Sequence, residues 1–327
     1  MNNHITKQQG FTLIELMISL ALGLLISAIA IQLFLTSQRS ATTQQGMMNL
    51  QNSTLFGLGE VVNHLRVANL NASQPFIDDT VLYGGIVLRP DNISANLSRF
   101  SINANLLTRG GIGLSNLKDQ KSDQLVIQYK VNTPNQFDCE GTGLTISDYV
   151  VERYFLRADT NNANDPNQPL ALACKADRYT AASAKTNTTL ALSGNGEILI
   201  PRVDHFSVRL GVAYDGANST CNAVTETNAS GVVTNNIAPD TRLDCFSYMD
   251  IEDYRALAGK KPQIVSLQIG LLSRSTDTVG NNPFFDENQN YQVLNVNAKL
   301  ITHARNKLYL RNVVTQTIAI RNGFGIE

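Results

Sequence analysis

The sequence predicts an α+β protein in which one long N-terminal helix packs on a C-terminal antiparallel β-sheet domain. Three observations support this fold class. An apolar run occupies residues 11–35, a segment without proline follows it to about residue 72, and short segments typical of β-strands begin near residue 80. We therefore expect a helical N-terminal part and a β-rich remainder.

The N-terminal segment combines a short polar stretch with a span long enough to cross a membrane. Residues 1–10 are polar and include Lys7, whereas the run from Phe11 to Leu35 carries a single charge, Glu15. As a helix this run extends about 37 Å, which exceeds the ~30 Å hydrocarbon core of a bilayer. We predict a transmembrane helix at residues 11–35.

Two simple interpretations of this segment leave a feature unexplained. A cleaved secretory signal peptide ends in small residues, and Ala28-Ile29-Ala30 has that form, but the apolar run continues beyond it. An ordinary uncleaved anchor explains the hydrophobicity but not Glu15, because an unpaired carboxylate in lipid costs about 3 kcal/mol. The position of Glu15 therefore predicts a partner for its charge.

The residues that precede Glu15 form a motif that supplies such a partner. The stretch Gly10-Phe11-Thr12-Leu13-Ile14-Glu15 resembles the leader junction of type IV pilins and of type II secretion pseudopilins. The resemblance implies that residues 1–10 are a leader, that a prepilin peptidase cuts after Gly10, and that the new N-terminus at Phe11 is methylated. It also implies that Glu15 pairs with the N-terminal amine of a neighbouring subunit during filament assembly.

The apolar helix departs from the pattern of many major pilins, which carry a proline within it. In this chain the first proline is Pro75. The difference favours a minor pilin or a pseudopilin over the main subunit of the fibre.

Residues 36–72 are predicted to continue the helix beyond the membrane. Apolar residues recur there at spacings of seven, three, four and three, which indicates one apolar helix face. They are Met48, Leu55, Leu58, Val62 and Leu65. Such a face needs a cover, so we expect it to pack on the sheet. Because each glycine weakens helical propensity by up to ~1 kcal/mol relative to alanine, kinks or breaks are expected at Gly46, Gly57 and Gly59.

Residues 73–327 are predicted to form a β-rich globular domain. Its clearest signal is His205–Ala213, where apolar and polar residues alternate as in a half-buried strand. The candidate strands are Val81–Leu88, Gln124–Val131, Tyr149–Leu156, Leu170–Cys174, Ile198–Ile200, His205–Ala213, Ile264–Leu272, Tyr291–Leu300 and Leu308–Ile320. Three long polar segments are predicted as loops, at Asp159–Gln168, Asp215–Thr241 and Thr276–Asn290.

Three parts of the C-terminal region resemble strands of PilW-type minor pilins. They are Asn187–Gly216, Pro262–Ser275 and Leu308–Asn322. Their order after a prepilin-like leader carries the resemblance, which does not extend to the middle of the chain, about residues 72–190. The resemblance implies a minor pilin whose partners are other major and minor pilins, prepilin peptidase and the inner-membrane pilus assembly platform.

Four cysteines lie beyond the apolar segment, at Cys139, Cys174, Cys221 and Cys245. If this region is outside the cytoplasm, two disulfides are expected. Four cysteines allow three pairings, of which Cys139–Cys174 with Cys221–Cys245 closes the most local loops. Buried free thiols are the alternative.

The composition and the motifs give no indication of an enzyme. Lys and Arg number 26 and Asp and Glu 27, so there is no basic excess of the kind that binds nucleic acid. No HExxH, GxSxG or Walker motif is present. The histidines that follow the leader, His64, His205 and His303, do not have the spacing of metal ligands. We expect no catalytic, cofactor or metal site.

These observations together predict a minor pilin that crosses the inner membrane once, with its C-terminal domain in the periplasm before it enters a surface pilus. The expected role is pilus assembly or priming, in support of twitching motility, adhesion or DNA uptake. Two alternatives share the same anchor. One is a J-like pseudopilin of type II secretion, and the other is a tip adhesin that binds ligands through its long polar loops.

Overall fold

One helix of 54 residues forms the N-terminal part of the protein. The computed structural model describes residues 10–96, 100–160, 169–186, 188–215, 224–227, 230–231, 233–236, 243, 245–280, 285–303 and 305–323. Helix α1 runs from Leu13 to Arg66, and the side chain of Thr12 caps its N-terminus by accepting the Glu15 N–H. Every residue from 10 to 42 is exposed to solvent in the single chain.

The buried face of the C-terminal part of α1 differs from the face that was predicted to be buried. Its buried residues are Gly46, Leu50, Thr54, Leu58, Val61, Val62 and Leu65. The prediction was therefore right for Leu58, Val62 and Leu65, but Met48 is 55% and Leu55 63% exposed.

Glycines explain this shift, and they do not interrupt the helix as expected. A Cβ at Gly46 would lie 2.4 Å from Cγ1 of Val279, and one at Gly57 would lie 2.7 Å from the Leu199 carbonyl oxygen. The helix therefore uses Gly46 and Gly57 to approach the body closely, which a larger residue would prevent.

The body of the protein contains two antiparallel sheets and a short helix. Helix α2 is Ile251–Ala256. The strands are β1 Phe100–Ser101, β2 Arg109–Gly113, β3 Ser122–Lys130, β4 Tyr149–Ala158, β5 Leu170–Tyr179, β6 Thr188–Thr189, β7 Glu197–Pro201, β8 Val203–Tyr214, β9 Val224–Thr227, β10 Val233–Asn236, β11 Cys245–Asp250, β12 Gln263–Arg274, β13 Asn290–Val293, β14 Val296–Lys299 and β15 Arg311–Ala319.

The first sheet has the order β2-β3-β4-β5-β7, and the second has the order β11-β8-β12-β15. Strands β9 and β10 pair as one hairpin and β13 and β14 as another, whereas β1 and β6 form a short parallel pair. Helix α1 packs against β7 of the first sheet and against β12 and β15 of the second. This arrangement confirms the α+β fold, with one helix packed on antiparallel sheets.

A single residue carries the chain from the first sheet to the second. Strand β7 ends at Pro201, β8 begins at Val203, and Arg202 between them has a φ of 58°. This left-handed conformation is uncommon for a residue with a side chain. It is held in place because the Arg202 carbonyl accepts the Arg274 N–H of β12 at 2.8 Å.

The core is continuous across the helix and both sheets. Leu58 of α1, Tyr154 and Leu172 of the first sheet and Phe206 and Leu267 of the second belong to one buried apolar cluster. A second cluster covers the opposite face of the first sheet, where the rings of Tyr83, Tyr149 and Tyr179 lie together. The helix end is therefore part of the same core as the sheets.

Most of the predicted strands are confirmed, and two predictions are wrong. Val81–Leu88 is not a strand: its residues form turns, Tyr83 has a φ of 64°, and Ile86 makes only an isolated bridge to Ile127. Tyr291–Leu300 is not one strand but the β13–β14 hairpin, which turns at Leu294 with a φ of 53°. Most residues of two predicted polar loops, 159–168 and 215–241, lie outside the described residues. The described part of the second contains the β9–β10 hairpin, so the prediction of a continuous loop there is wrong.

Candidate functional site

The start of α1 brings the motif residues into one hydrogen-bonded turn. The Thr12 N–H and its hydroxyl both donate to Glu15 Oε2 at 2.9 Å, and the Glu15 N–H donates to Thr12 Oγ1 at 3.3 Å. This reciprocal capping box satisfies backbone donors that a helix N-terminus leaves free. Gly10 and Phe11 precede it and are exposed, Phe11 by 89%.

The capping box gives Glu15 a local partner but leaves its carboxylate accessible. The side chain is exposed in the single chain, so a second donor from another molecule can still reach it. The hydroxyls of Ser19 and Ser27 donate to helix carbonyls four residues earlier, at 2.7 and 2.8 Å. These two hydroxyls are therefore satisfied within the helix, and Glu15 is the one charged residue of the segment 11–35.

The apolar residues that follow Glu15 have no cover within the chain. Leu13, Leu24 and Leu33 are 79%, 72% and 67% exposed, and no residue of α1 before Gly46 is buried. Among the described residues, α1 is the one helix long and apolar enough to cross a membrane. An exposed apolar surface of this length indicates contact with lipid or with other apolar helices.

The other end of α1 is tied to the body by a buried carboxylate. Glu152 of β4 is fully buried and accepts hydrogen bonds from Tyr129 and Tyr154 hydroxyls, at 3.1 and 2.7 Å, and from the Cys139 N–H at 3.0 Å. His64 Nδ1 lies 3.1 Å from Glu152 Oε1. One carboxylate therefore joins the last turn of the helix, the first sheet and the disulfide loop.

His64 lies between two carboxylates. Its Nε2 is 3.2 Å from Glu60 Oε1, on the side opposite Glu152. Burial lowers the pKa of His64, but hydrogen bonding to Glu152 and the charges of Glu152 and Glu60 outweigh it, so that the pKa is raised. The protonated imidazole is thus favoured at the helix–body junction.

The disulfide between Cys139 and Cys174 fixes the loop next to this junction. The two Cα atoms are 6.1 Å apart, and the bridge closes a separation of 35 residues. The carboxylate of Glu140 reinforces it by accepting from Lys175 Nζ and the Ala176 N–H, at 2.8 and 2.9 Å. Cys245 is also disulfide-bonded, whereas Cys221 lies outside the described residues.

The geometry does not suit metal binding at the place where candidate ligands meet. Cys139, Glu152 and Cys174 bring their ligand atoms within 4.8 Å of one another. However, the two sulfurs are bonded to each other, so neither is available as the thiolate that binds metals. The three atoms belong to a structural cluster.

His205 has a serine neighbour but is closed to substrates. Its Nδ1 lies 2.9 Å from Ser115 Oγ and 3.3 Å from Ser122 Oγ, and the residue is 1% exposed. Burial lowers the pKa of His205 to about 4. A neutral, buried imidazole fits a structural role in the sheet junction rather than general-base catalysis on an outside molecule.

The N-terminal motif is visible in the sequence, whereas the Glu152 cluster is not. The partners of Glu152 come from α1, β3 and the disulfide loop, and His64 is 88 positions away in the chain. Only the position of a glutamate inside an apolar strand pattern, Tyr149–Leu156, could have indicated a buried carboxylate.

Two protein-family models match the chain. Residues 153–322 match the family described as type IV pilus-assembly protein W, and residues 5–31 match the prokaryotic N-terminal methylation motif. Among solved structures, a type IV-like pilin from Thermus thermophilus aligns with 84% of this chain and 96% of its own, at 9% identity and a TM-score of 0.36. No curated protein sequence matches the chain significantly.

Proposed function

The chain belongs to the family of type IV pilus-assembly protein W, and from this membership we propose how it is processed and incorporated as a minor pilin. A prepilin peptidase removes residues 1–10 by cutting after Gly10, and the amine of Phe11 is then methylated. The apolar helix is retained, because the cut precedes it, and it holds the protein in the membrane until a filament takes it up.

The observation that carries this proposal is the exposed apolar half of α1 with Glu15 at its start. The helix is exposed from its first residue to Thr42. In a membrane, lipid covers the apolar side chains, but it offers nothing to the carboxylate, which costs about 3 kcal/mol without a partner. Pairing of Glu15 with the Phe11 amine of a neighbouring pilin offsets this cost, so that the charge favours entry into the filament.

The mature N-terminus tests the proposal directly. Mass spectrometry of the protein purified from membranes or from sheared pili is expected to give a chain that begins with N-methylphenylalanine at Phe11. A Gly10→Ser variant tests the same cut, because we expect it to keep its leader and to stay out of pili. An intact Met1 in the mature protein, or a start after Ala30, would contradict the proposal.

We propose that the body lies in the periplasm before assembly. The disulfide between Cys139 and Cys174 supports this orientation, because structural disulfides persist in oxidising compartments. The remaining partners on this proposal are other major and minor pilins and the assembly platform of the inner membrane.

As a minor subunit the protein is proposed to prime assembly or to occupy the pilus tip. Deletion of its gene is expected to reduce surface pili and with them twitching, adhesion or DNA uptake. Counting pili by electron microscopy in the deletion strain, with the gene restored in a control, measures the effect. Unchanged piliation would contradict a role in assembly, whereas normal piliation with lost adhesion would instead support the tip adhesin.

A pseudopilin of type II secretion is the nearest alternative, since it has the same leader and helix. The family match is to a pilus-assembly protein, and this favours the pilus. Loss of protein secretion in the deletion strain, with pili intact, would reverse that choice.

A further inference from the structure

The two larger sheets have four edge strands between them, and three of these edges are protected against pairing with another chain. Strand β2 is rich in glycine and loses its regular register with β3. Strand β7 is covered by α1, whose Gly57 lies against the Leu199 carbonyl. Strand β11 has only six residues and leads directly into α2. Irregular, covered or short edges of this kind resist strand addition.

Strand β15 is the fourth edge, and it has none of these protections. It pairs with β12 over nine consecutive residues without a shift of register. Residues 312–320, with the sequence NVVTQTIAI, include no charged residue, no proline and no glycine. Thr315, Gln316 and Thr317 are all exposed, so another chain can reach the middle of the strand.

Hydrogen bonds at both ends of β15 show which of its backbone groups point away from β12. The Ile320 N–H donates to the Val265 carbonyl at 2.9 Å, and the Leu310 carbonyl accepts from the Ser275 N–H at 2.9 Å. Bonded and non-bonded residues alternate along an antiparallel pair, so the even-numbered residues of β15 bond to β12. The odd-numbered residues from 313 to 319 therefore direct their N–H and C=O groups outwards.

These outward groups are open for pairing. Within the described part of the chain, no backbone or side-chain oxygen accepts from the outward N–H groups of residues 313–319. The side chain of Gln316 donates to the Thr317 carbonyl at 3.3 Å, as expected for a carbonyl that points away from β12. A row of unpaired donors and acceptors is a template for a further strand.

The position of β15 beside α1 indicates where such a strand comes from. Helix α1 packs against β15, and Leu50 of the helix clusters with Leu310, the residue that precedes the strand. The exposed apolar part of α1 ends just before this contact, and other pilins are proposed to cover it. A pilin that packs along α1 is therefore adjacent to the open edge.

We propose that β15 accepts an extended strand from a different, neighbouring pilin, which adds a fifth strand to the second sheet. This pairing rests on the proposed incorporation of the chain into a pilus. The incoming strand binds through its backbone, and its side chains meet those of β15. Because residues 312–320 carry no charge, we expect an uncharged strand rich in β-branched residues opposite Thr315 and Thr317.

Two substitutions of Thr315 test the edge without removing a hydrogen bond to β12. Thr315→Pro deletes an outward N–H, and Thr315→Lys places a charge at the edge, as natural proteins do to prevent strand pairing. Both variants should unfold thermally close to the wild type but reach only about one tenth of its level in sheared pili. Thr315→Val, which keeps the N–H and the neutral charge, is the matched control and should assemble normally.

Immunoblots of sheared pili measure incorporation, and the mass of the N-terminus separates this proposal from the one on which it rests. Normal incorporation of the folded variants, with methylated Phe11, would overturn the strand pairing alone. A leader retained by the wild type would instead contradict the proposed processing. If the proline variant does not fold, the lysine variant decides the outcome.

Photo-cross-linking in intact pili identifies the chain that supplies the strand. With p-benzoylphenylalanine in place of Thr315, we expect a cross-link to a different pilin, which mass spectrometry locates in an extended, uncharged segment. A cross-link to a second copy of this chain would overturn the choice of partner. The absence of any intermolecular cross-link would overturn the pairing itself.

Discussion

At the scale of single residues, Glu15 has two hydrogen-bonding roles that must be separated. In the single chain its carboxylate accepts from Thr12, which caps the helix. In a filament the same carboxylate is proposed to meet the amine of a neighbouring Phe11. The two roles are compatible, because a carboxylate has about four acceptor positions and Thr12 occupies one oxygen, Oε2.

Paired variants distinguish the two roles. Glu15→Ala is expected to leave cleavage intact but to reduce incorporation into pili at least about tenfold, because an unmade pair worth about 3 kcal/mol exceeds the 1.4 kcal/mol of a tenfold change. Thr12→Ala removes the cap and keeps the carboxylate, so it should assemble nearly as the wild type does. Immunoblots of sheared pili and the mass of the N-terminus give both readouts.

Equal loss in both variants would show that helix capping is the role that matters. Normal incorporation of Glu15→Ala would exclude the pairing altogether. Ser19→Ala, which changes a neutral residue of the same segment, controls for general damage to the helix.

At the scale of elements, α1 is one helix with two environments, and its glycines mark the difference. Gly57 lies against the backbone of Leu199, with room for no Cβ, whereas nothing lies within 4 Å of a Cβ at Gly59. Both residues have the same intrinsic helical propensity, so any difference between their substitutions reports packing alone.

Alanine at these two positions should have opposite effects. Gly57→Ala is expected to destabilise the protein by about 1–3 kcal/mol through overpacking. Gly59→Ala should stabilise it by about 0.5–1 kcal/mol, because alanine loses less backbone entropy on folding. Urea unfolding in detergent measures both. Stabilisation by Gly57→Ala would mean that the helix and β7 are farther apart than described.

The two sheets are joined by polar side chains at the crossing of β3 and β8. The carboxylate of Asp123 in β3 accepts from the Val208 N–H of β8 at 2.7 Å and from the Gly111 N–H at 2.9 Å. Ser122 accepts from the Phe206 N–H at 3.0 Å and contacts His205. Burial raises the pKa of Asp123 to about 6 and lowers that of His205 to about 4, so the junction responds to pH.

The lowered pKa of His205 predicts that the protein loses stability in acid. Its folded pKa of about 4 is below the usual 6.5, so its contribution is present above pH 6.5 and is lost as pH falls to 4. The linkage amounts to about 3 kcal/mol at pH 4. His205→Gln should therefore lose less free energy of unfolding than the wild type between pH 7 and pH 4.

Titration of Asp123 changes the stability of the protein in the opposite direction. Its folded pKa is above the usual 3.8, so its contribution is present below pH 3.8 and is lost as pH rises through 6. Asp123→Asn should therefore abolish the gain in stability that protonation of Asp123 gives as the pH falls from 6 to 3.8. The loss of stability that His205 causes on acidification should then be larger than in the wild type. Parallel curves of stability against pH for the wild type and both variants would contradict this account of the junction.

Strands were predictable where the local pattern matched their environment. The apolar run Leu170–Cys174 corresponds to β5, which is buried on both faces. The alternation in His205–Ala213 located β8 correctly, but the strand is not half-buried as expected, because its polar residues His205 and Ser207 are also buried. Val81–Leu88 has a similar apolar content but is buried as turns, since Gly85 packs on the backbone of Asn69. The leader motif can be recognised from the sequence because its residues are adjacent in the chain. The Glu152 cluster cannot, because only the fold brings its residues together.

At the scale of the whole molecule, the described contacts divide the chain near residue 46. Residues 10–42 are all exposed, and the first buried position is Gly46. Leu50 then packs with Val279 and Leu310 in a small cluster of its own. The body is therefore stabilised by its own continuous core, whereas the exposed segment is proposed to be stabilised by lipid and by other pilins.

Two truncations test where the body begins. A fragment that starts at Thr43 keeps every buried residue of α1 and is expected to be a soluble monomer whose thermal unfolding matches that of the full chain. A fragment that starts at Gln51 lacks Gly46 and Leu50. It should be less stable by about 2–3 kcal/mol for the lost burial of one leucine, because Val279 and Leu310 are then uncovered as well. Calorimetry of both fragments measures the difference, and equal stability would place the start of the body further along the helix. Aggregation of the longer fragment without detergent would show instead that the exposed face around Leu55 and Phe56, which are 63% and 79% exposed, also requires a cover from other subunits.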